Sequence, residues 1–455
     1  MSKTNKLFVT VLLLLLISAA SLFWLNYKVT KTTSRSEAAN IKLLREVIDH
    51  VKNKYVEEIE PKKLVKGAID GMLASLDPHS NYLPPEPFKE MNVQISGSFG
   101  GVGIELTIRD NKLTVVAPIE GTPAERAGIK ANDHIVKIDS KLTRNLNIND
   151  AVKLMRGEKG TNVTLTIQRD SSGKMMLFQL TRDIINIKSL RYRTITNGFG
   201  YIRIAQFQSR TGEEFKTALQ KLREQNDGRL KGLVIDLRNN PGGLVDQAAS
   251  VADCFIGEGL ENGLIVYTQG KTKESRQNLT ALVGVKEPHY PIVILMNGGS
   301  ASASEILAGA MQDHKRAIVM GTQSFGKGSV QSIFPLKDGA GLKLTSARYY
   351  TPNGRSIQVK GITPDIQVSQ LRHENNTSAR RREGEFREAN LAGHLMGGAP
   401  PPAIKAQKVA PAVTTTVDPE LGKDYQLSRA IGLLQGLDSF AVMKKISTSI
   451  VPARK

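Results

Sequence analysis

Apolar positions along this chain change their period several times, and each change marks a boundary. Between 37 and 76, Ile41, Leu44, Val47, Ile48 and Val51 recur at helical spacing, and Leu64, Ala68, Ile69, Met72 and Leu73 do so again, which predicts two helices. The run DPHSNYLPP at 77–85 ends that pattern. From 94 the period shortens. The stretch GSFGGVG at 97–103 leads into predicted strands at 104–108, 113–116, 134–138 and 163–167, with short helices at 123–128 and 148–155 between them.

From 184 to 368 strands and helices alternate, as in an α/β domain. Strands are predicted at 200–206, 232–237, 291–296 and 317–320, and helices at 213–225, 245–255 and 302–312. Beyond 370 the pattern dissolves. Residues 373–387 are dense in charge, GGAPPP at 397–402 reads as a linker, and 427–437 looks like one last helix. Residues 370–420 are expected to be largely disordered.

The amino terminus is a different kind of signal. Lys3 and Lys6 precede an uncharged apolar stretch from Leu7 to Leu25. As a helix it would span about 28 Å, close to the bilayer core. This is an export signal, either cleaved after Ala20 or kept as an inner-membrane anchor. The rest of the chain is then expected in the periplasm or cell envelope.

Composition changes the picture only a little. The 455 residues suit two or three domains, and a net charge of +19 favours acidic partners. Aromatics are only 5% and do not interleave with the basic residues, so no nucleic-acid partner is expected. The single Cys254 excludes an intrachain disulfide and reads as core filler. The seven histidines are scattered, so neither a catalytic metal nor a cofactor is expected.

The candidate chemistry lies at two strand ends. Ser302 sits in NGGSASASE at 297–305, directly after the 291–296 run, and Lys327 in GTQSFGKG at 321–328, after 317–320. Glycine- and serine-rich turns at strand ends are where α/β domains place reacting groups. A hydroxyl and an amine that meet there can form a hydrolytic dyad. Spacing does not choose among Ser300, Ser302 and Ser304, and a serine at a helix start often only caps it. A lysine base must be neutral, whereas roughly one free lysine in a few thousand is neutral at pH 7. Burial by Phe325, Val330, Ile333 and Phe334 is one way to lower its pKa. His314 lies at the far end of the helix that Ser302 begins, about 18 Å away, and is no partner. The 321–328 stretch nearly matches a phosphate-binding loop, but Gly328 stands where the magnesium-binding hydroxyl belongs. The tight turn NNPGG at 239–243 could supply a second donor to an oxyanion hole.

Several of these stretches together resemble the carboxy-terminal-processing, or tail-specific, serine proteases. They are GGSASASE at 298–305, the lysine 25 positions after Ser302, Gln331 four positions later, LVIDLRNNPGGL at 233–244, YYTPNGRSI at 349–357 and DPHSNY at 77–82. GVGIEL at 101–106 with PAERAGIKAND at 123–133 is similar to the PDZ domain of that family.

The resemblance implies a multidomain α/β protein with a mixed α/β protease core of the crotonase/Clp-protease-like type, an inserted PDZ domain and a helical N-terminal region. The boundaries are then 1–27 for the signal or anchor, 37–92 for the helical region, 93–183 for the PDZ domain and 184–369 for the peptidase core. A linker at 370–420 and a helical tail at 421–455 complete the chain. It also implies Ser302 as nucleophile, Lys327 as general base and Gln331 as its orienting partner, one helical turn on if the segment is helical. Ala303 with Gly242 or Gly243 would form the oxyanion hole, with Glu305 and Asp313 as supporting residues. Residues 349–357 would form core strands beside the site. A peptide C-terminus would meet Gly101, Val102, Gly103 and Ile104 and add as a strand, and Arg156 would link its presence to the active site. Protein substrates, a lipoprotein adaptor and a homo-oligomer built on the terminal helices are the partners implied. A catalytically silent PDZ-based envelope scaffold is the competing expectation.

Overall fold

The computed structural model describes residue 18 and residues 38–169, 174–196, 198–257, 263–370, 387–397 and 424–450. The apolar segment expected to direct export lies outside them, apart from Ser18. Among the described residues no helix is long and apolar enough to cross a membrane. The chain divides into two compact units at Ser75 and Leu76.

The first unit carries helix α1 at 38–54 and α2 at Pro61–Ala74. Proline at the first helical position costs α2 nothing, since that N–H has no intrahelical acceptor. Ile41, Leu44, Val47 and Met72 are exposed.

The second unit opens with β1 (Asn81–Leu83), α3 (Pro85–Ser96) and β2 (Ser98–Gly101). A small domain follows: β3 (Ile104–Arg109), β4 (Lys112–Pro118), α4 (Pro123–Arg126), β5 (His134–Ile138), β6 (Lys141–Leu142), α5 (Ile148–Met155), β7 (Asn162–Gln168) and β8 (Met175–Thr181). Its sheet runs β3-β4-β5-β7-β8, with β6 on β5. Val115, Ile135, Ile138, Leu165 and Ile167 form its core with Ala151 and Met155 of α5. β9 (Asp183–Asn186) then pairs antiparallel with β2, Phe99 opposite Ile185. The chain thus enters and leaves the small domain side by side, as an insertion must.

The larger domain is built on β10 (Leu190–Thr196), β11 (Phe199–Ile204), α6 (Thr211–Glu224), β12 (Gly232–Asp236), α7 (Val245–Asp253), β13 (Leu264–Gln269), β14 (Gln277–Thr280), β15 (Ile292–Met296), α8 (Ala303–Asp313), β16 (Ile318–Gly321), β17 (Ser329–Pro335), β18 (Gly341–Tyr350), β19 (Ile366–Gln367) and α9 (Tyr425–Ile450). Its main sheet runs β10-β11-β12-β15-β16-β19, and all pairs but β10–β11 are parallel. Parallel strands buried on both faces read as unbroken apolar runs. Leu233 and Ile235 face the core under α6, α7 and α8, whereas Val234 faces Leu427, Ala430, Ile431 and Leu434 of α9. A second, antiparallel sheet runs β1-β18-β13-β14, with β17 on β18.

Four expectations change. Gln331 lies on strand β17, because Val330, Ile333 and Phe334 sit in a hairpin with β18. Only Tyr349 and Tyr350 of the 349–357 run are strand; the rest turns back, closed by a Tyr350–Ser356 bridge. The linker expected over 370–420 contains an ordered piece, 387–397, whose Glu388 is fully buried. The tail helix, a candidate for oligomerisation, spends Leu427, Ala430, Ile431 and Leu434 on its own sheet. Arg238, next to that sheet, bonds Asp236 and also Asp424 and Gln426 at the foot of α9.

Candidate active site

Ser302 is the N-cap of α8 and is held at φ 53° and ψ −114°. A non-glycine residue there carries strain of about 1–3 kcal/mol and persists only where its surroundings over-determine it. They do. Ala301 N–H donates to Asn240 O at 3.0 Å, and Asn239 N–H to Asn297 Oδ1 at 3.0 Å, tying this turn to the 239–243 turn. The three neighbouring serines separate by their bonds. Ser300 Oγ donates to Leu237 O at 2.8 Å and Ser304 Oγ to Asn240 O at 3.0 Å, and both are fully buried. Ser302 is the one whose hydroxyl donates to no backbone carbonyl. Tyr349 lies within its influence: burial pushes the tyrosine hydroxyl up to about 12, and Ser302 opposes that rise.

Gly242 lies against this turn. A Cβ on it would stand 2.8 Å from both Ala301 O and Ser302 Cβ, so only glycine lets the two turns touch. Its N–H donates to Asn240 Oδ1 at 2.9 Å, which leaves Gly243 as the glycine with a donor to offer. Ala303, as the first residue of α8, has an N–H without an intrahelical acceptor.

The Lys327 loop is joined to Ser302 through Glu305, which is fully buried. Glu305 Oε2 accepts the N–H of Ser302 at 2.8 Å and that of Lys327 at 2.9 Å. Its Oε1 accepts Ser324 Oγ–H at 2.6 Å and Gly326 N–H at 2.7 Å. Burial pushes the Glu305 carboxyl up to about 7, while these four donors all favour the charged form. The pKa of Lys327 is lowered, first by burial and then by the charge of Lys343, against the opposing pull of Glu388, Glu305 and Asp77. A lysine so shifted is more often neutral at a given pH than a free one, the state a base needs.

Beyond the lysine lies a second polar cluster. Gln331 Nε2 donates to Ser329 Oγ and Thr345 Oγ1, both at 3.1 Å. Thr345 Oγ1 donates to Asp77 Oδ1 at 3.0 Å, and Asp77 also accepts from Ser80 and the His79 N–H. His79 Nε2 pairs with Glu388 at 2.8 Å. Gln358 bridges Glu388 and Gly328. Next to it Val359 is held at φ 69°, an outlier for a β-branched residue, with its N–H on Gly326 O at 2.8 Å.

Not every sequence candidate converges here. Asp313 sits at the far end of α8, where it bonds Arg355 and accepts the Asn353 N–H at 2.9 Å, fixing the loop after β18. His314 turns to Leu264 O at 2.6 Å. Cys254 is buried, and burial pushes its thiol up to about 12, an inert group. His79, Asp77, Lys343, Tyr349 and Glu388 had no individual role assigned from sequence. The stretches at 77–82 and 349–357 pointed near three of them, Asp77, His79 and Tyr349.

In the small domain, Gly101, Val102, Gly103 and Ile104 line a groove opposite Val152, Met155 and Arg156. Its cavity volume is ≈ 50 Å³. Arg156 does not reach the Ser302 turn. It bonds Glu90 of α3 at 3.0 Å and stacks 4.5 Å over the Phe99 ring.

Comparison with known proteins agrees with this layout. Residues 198–368 match peptidase family S41, 114–169 match a PDZ domain, and 19–86 match the N-terminal domain of the activating protease CtpB. A carboxy-terminal-processing protease of Bartonella bacilliformis is 42% identical over 92% of this chain and 93% of its own length. A CtpA-like serine protease of Staphylococcus aureus is 38% identical over 80% of this chain and 72% of its own. Among solved structures, the photosystem II D1 C-terminal processing protease is 30% identical, covering 72% of this chain and 92% of its own, with a TM-score of 0.42. With a relative this similar along nearly its whole length, and with both modules matched, the chain is a serine peptidase that belongs to the carboxy-terminal-processing proteases of family S41.

Proposed function

We propose that this protein is an exported endopeptidase of the cell envelope that takes the C-terminal end of a protein into its PDZ groove and cleaves with Ser302 and Lys327. One observation carries the reading: a single oxygen of Glu305 accepts the backbone N–H groups of both residues. In the reaction the neutral Lys327 amine takes the Ser302 proton as Oγ adds to the scissile carbonyl. The oxyanion faces the N–H groups of Ala303 and of the Gly242–Gly243 turn. Collapse breaks the C–N bond, and the lysine returns the proton to the leaving amine. Water then adds to the acyl-enzyme, passes its proton to Lys327, and Ser302 leaves with it.

Gln331 orients the lysine indirectly, through Ser329 and Thr345. The apolar stretch from Leu7 to Leu25 supports export, and the exposed apolar positions of α1 support assembly into a homo-oligomer or docking of an adaptor. The test is turnover of an unfolded protein by Ser302→Ala and Lys327→Ala. Each should lose at least about 10³-fold in kcat. Wild-type protein that binds C-terminal peptides without any turnover would instead identify a silent scaffold.

A further inference from the structure

Lys327 is pinned from two sides, and only one of them belongs to the matched peptidase module. Glu305 holds the first. The second is held by residues 387–397, beyond the match at 198–368. Glu388 N–H donates to Phe325 O at 3.2 Å, two residues before the lysine. Its carboxylate accepts Gln358 Nε2 at 2.8 Å, and Gln358 Oε1 accepts the Gly328 N–H at 3.0 Å, one residue after the lysine. Gln358 Nε2 also reaches Leu395 O at 3.1 Å, which fastens the segment a second time.

A fully buried carboxylate is costly unless it is paired, and a segment that merely covered surface would do better with an apolar side chain. Here burial would raise the Glu388 pKa, but bonds from His79 and Gln358 and the charges of His79 and Lys327 hold it below the ordinary value. The carboxylate is therefore kept charged, inside the protein, within the field of Lys327.

We propose that Glu388 is a positioning residue for Lys327, holding its loop from the side opposite Glu305, so that the peptidase of this chain is complete only with residues 387–397. The proposal rests on the Ser302/Lys327 reading above. Four charged groups face the lysine amine: Lys343 from β18, Glu305 from α8, Asp77 from the turn before β1, and Glu388. Removing the Glu388 charge removes one of the three that favour the protonated amine.

The experiment measures kcat and KM of the full-length protein across pH for wild type, Glu388→Gln, Glu388→Ala and Lys327→Ala, on an unfolded protein substrate. Glu388→Ala should lose about 10²-fold in kcat with little change in KM, since the base is misplaced while the groove is untouched. Glu388→Gln keeps the shape and the acceptor, so it should keep more of kcat while the acid limb of the profile moves to lower pH. Glu388→Gln with the kcat and acid limb of wild type would overturn the proposal, even if Glu388→Ala fails to fold. If Lys327→Ala retains turnover, the dyad reading falls and takes this proposal with it. If Lys327→Ala is dead while Glu388→Gln matches wild type, the positioning role alone falls.

Discussion

The loop that carries Lys327 and the groove of the PDZ domain are held in opposite ways. Ser324, Gly326 and Lys327 all donate to one buried carboxylate, and Phe325 and Gly328 are tied from the other side. The groove is tied to α3 by Arg156 and Glu90, whose side chains are 27% and 48% exposed. Buried hydrogen bonds to a charged group are each expensive to lose, whereas exposed ion pairs contribute about 0–1 kcal/mol. The difference teaches where motion is cheap. Ser302 and Lys327 are fixed by bonds that cannot slip singly, and the small domain can shift at little cost.

Breaking the rigid side should have the largest effect. Glu305→Ala leaves four buried donors unpaired, so it should lose at least about 3 kcal/mol in denaturant unfolding and about 10²-fold or more in kcat. A near-normal kcat would mean that the loop holds itself. In the groove, Gly103 is at φ 77° and a Cβ there would stand 2.4 Å from the Thr122 side chain. Gly103→Val should therefore raise KM for a C-terminal peptide substrate about tenfold, about 1.4 kcal/mol of binding, with kcat maintained. A fall in kcat instead would show that the two regions are coupled more stiffly than their bonds suggest.

A subtler change sharpens the electrostatics of the rigid side. On the proposed dyad the reaction needs neutral Lys327, so kcat should rise with pH through a pKa already lowered by burial and by Lys343. Lys343→Met removes the second of those causes, and the acid limb should move to higher pH, opposite to Glu388→Gln. The smallest effect belongs to Arg156→Ala. Its loss of one exposed pair and one ring contact should cost about 1 kcal/mol or less in thermal unfolding.

The strands and the turns that carry Ser302 and Lys327 were legible because the physics behind them is local. A parallel strand buried on both faces writes an apolar run such as 291–296, and the Ser302 turn follows at its end. Ser302 could not be separated from Ser300 and Ser304 by spacing, since what separates them is which carbonyl each hydroxyl meets. Gln331 would follow Lys327 by one turn only if the segment were helical, but β17 exists through its pairing with β18, a tertiary fact. Glu388 was invisible for a stronger reason. Its partner His79 lies 309 positions away, and it sits next to a charge-dense stretch whose composition reads as solvated chain.

The foot of α9 has a consequence for the order in which the enzyme comes into being. A growing chain has already made Ser302 and Lys327 when Glu388, Asp424 and Leu434 do not yet exist. Until they arrive, one face of the main sheet lacks Leu427, Ala430, Ile431 and Leu434, and Arg238, two residues before the Asn240 that supports Ser302, lacks Asp424. Residues 388–434 are thus the part that closes the scaffold, and a nascent protease cannot be finished until they have been made.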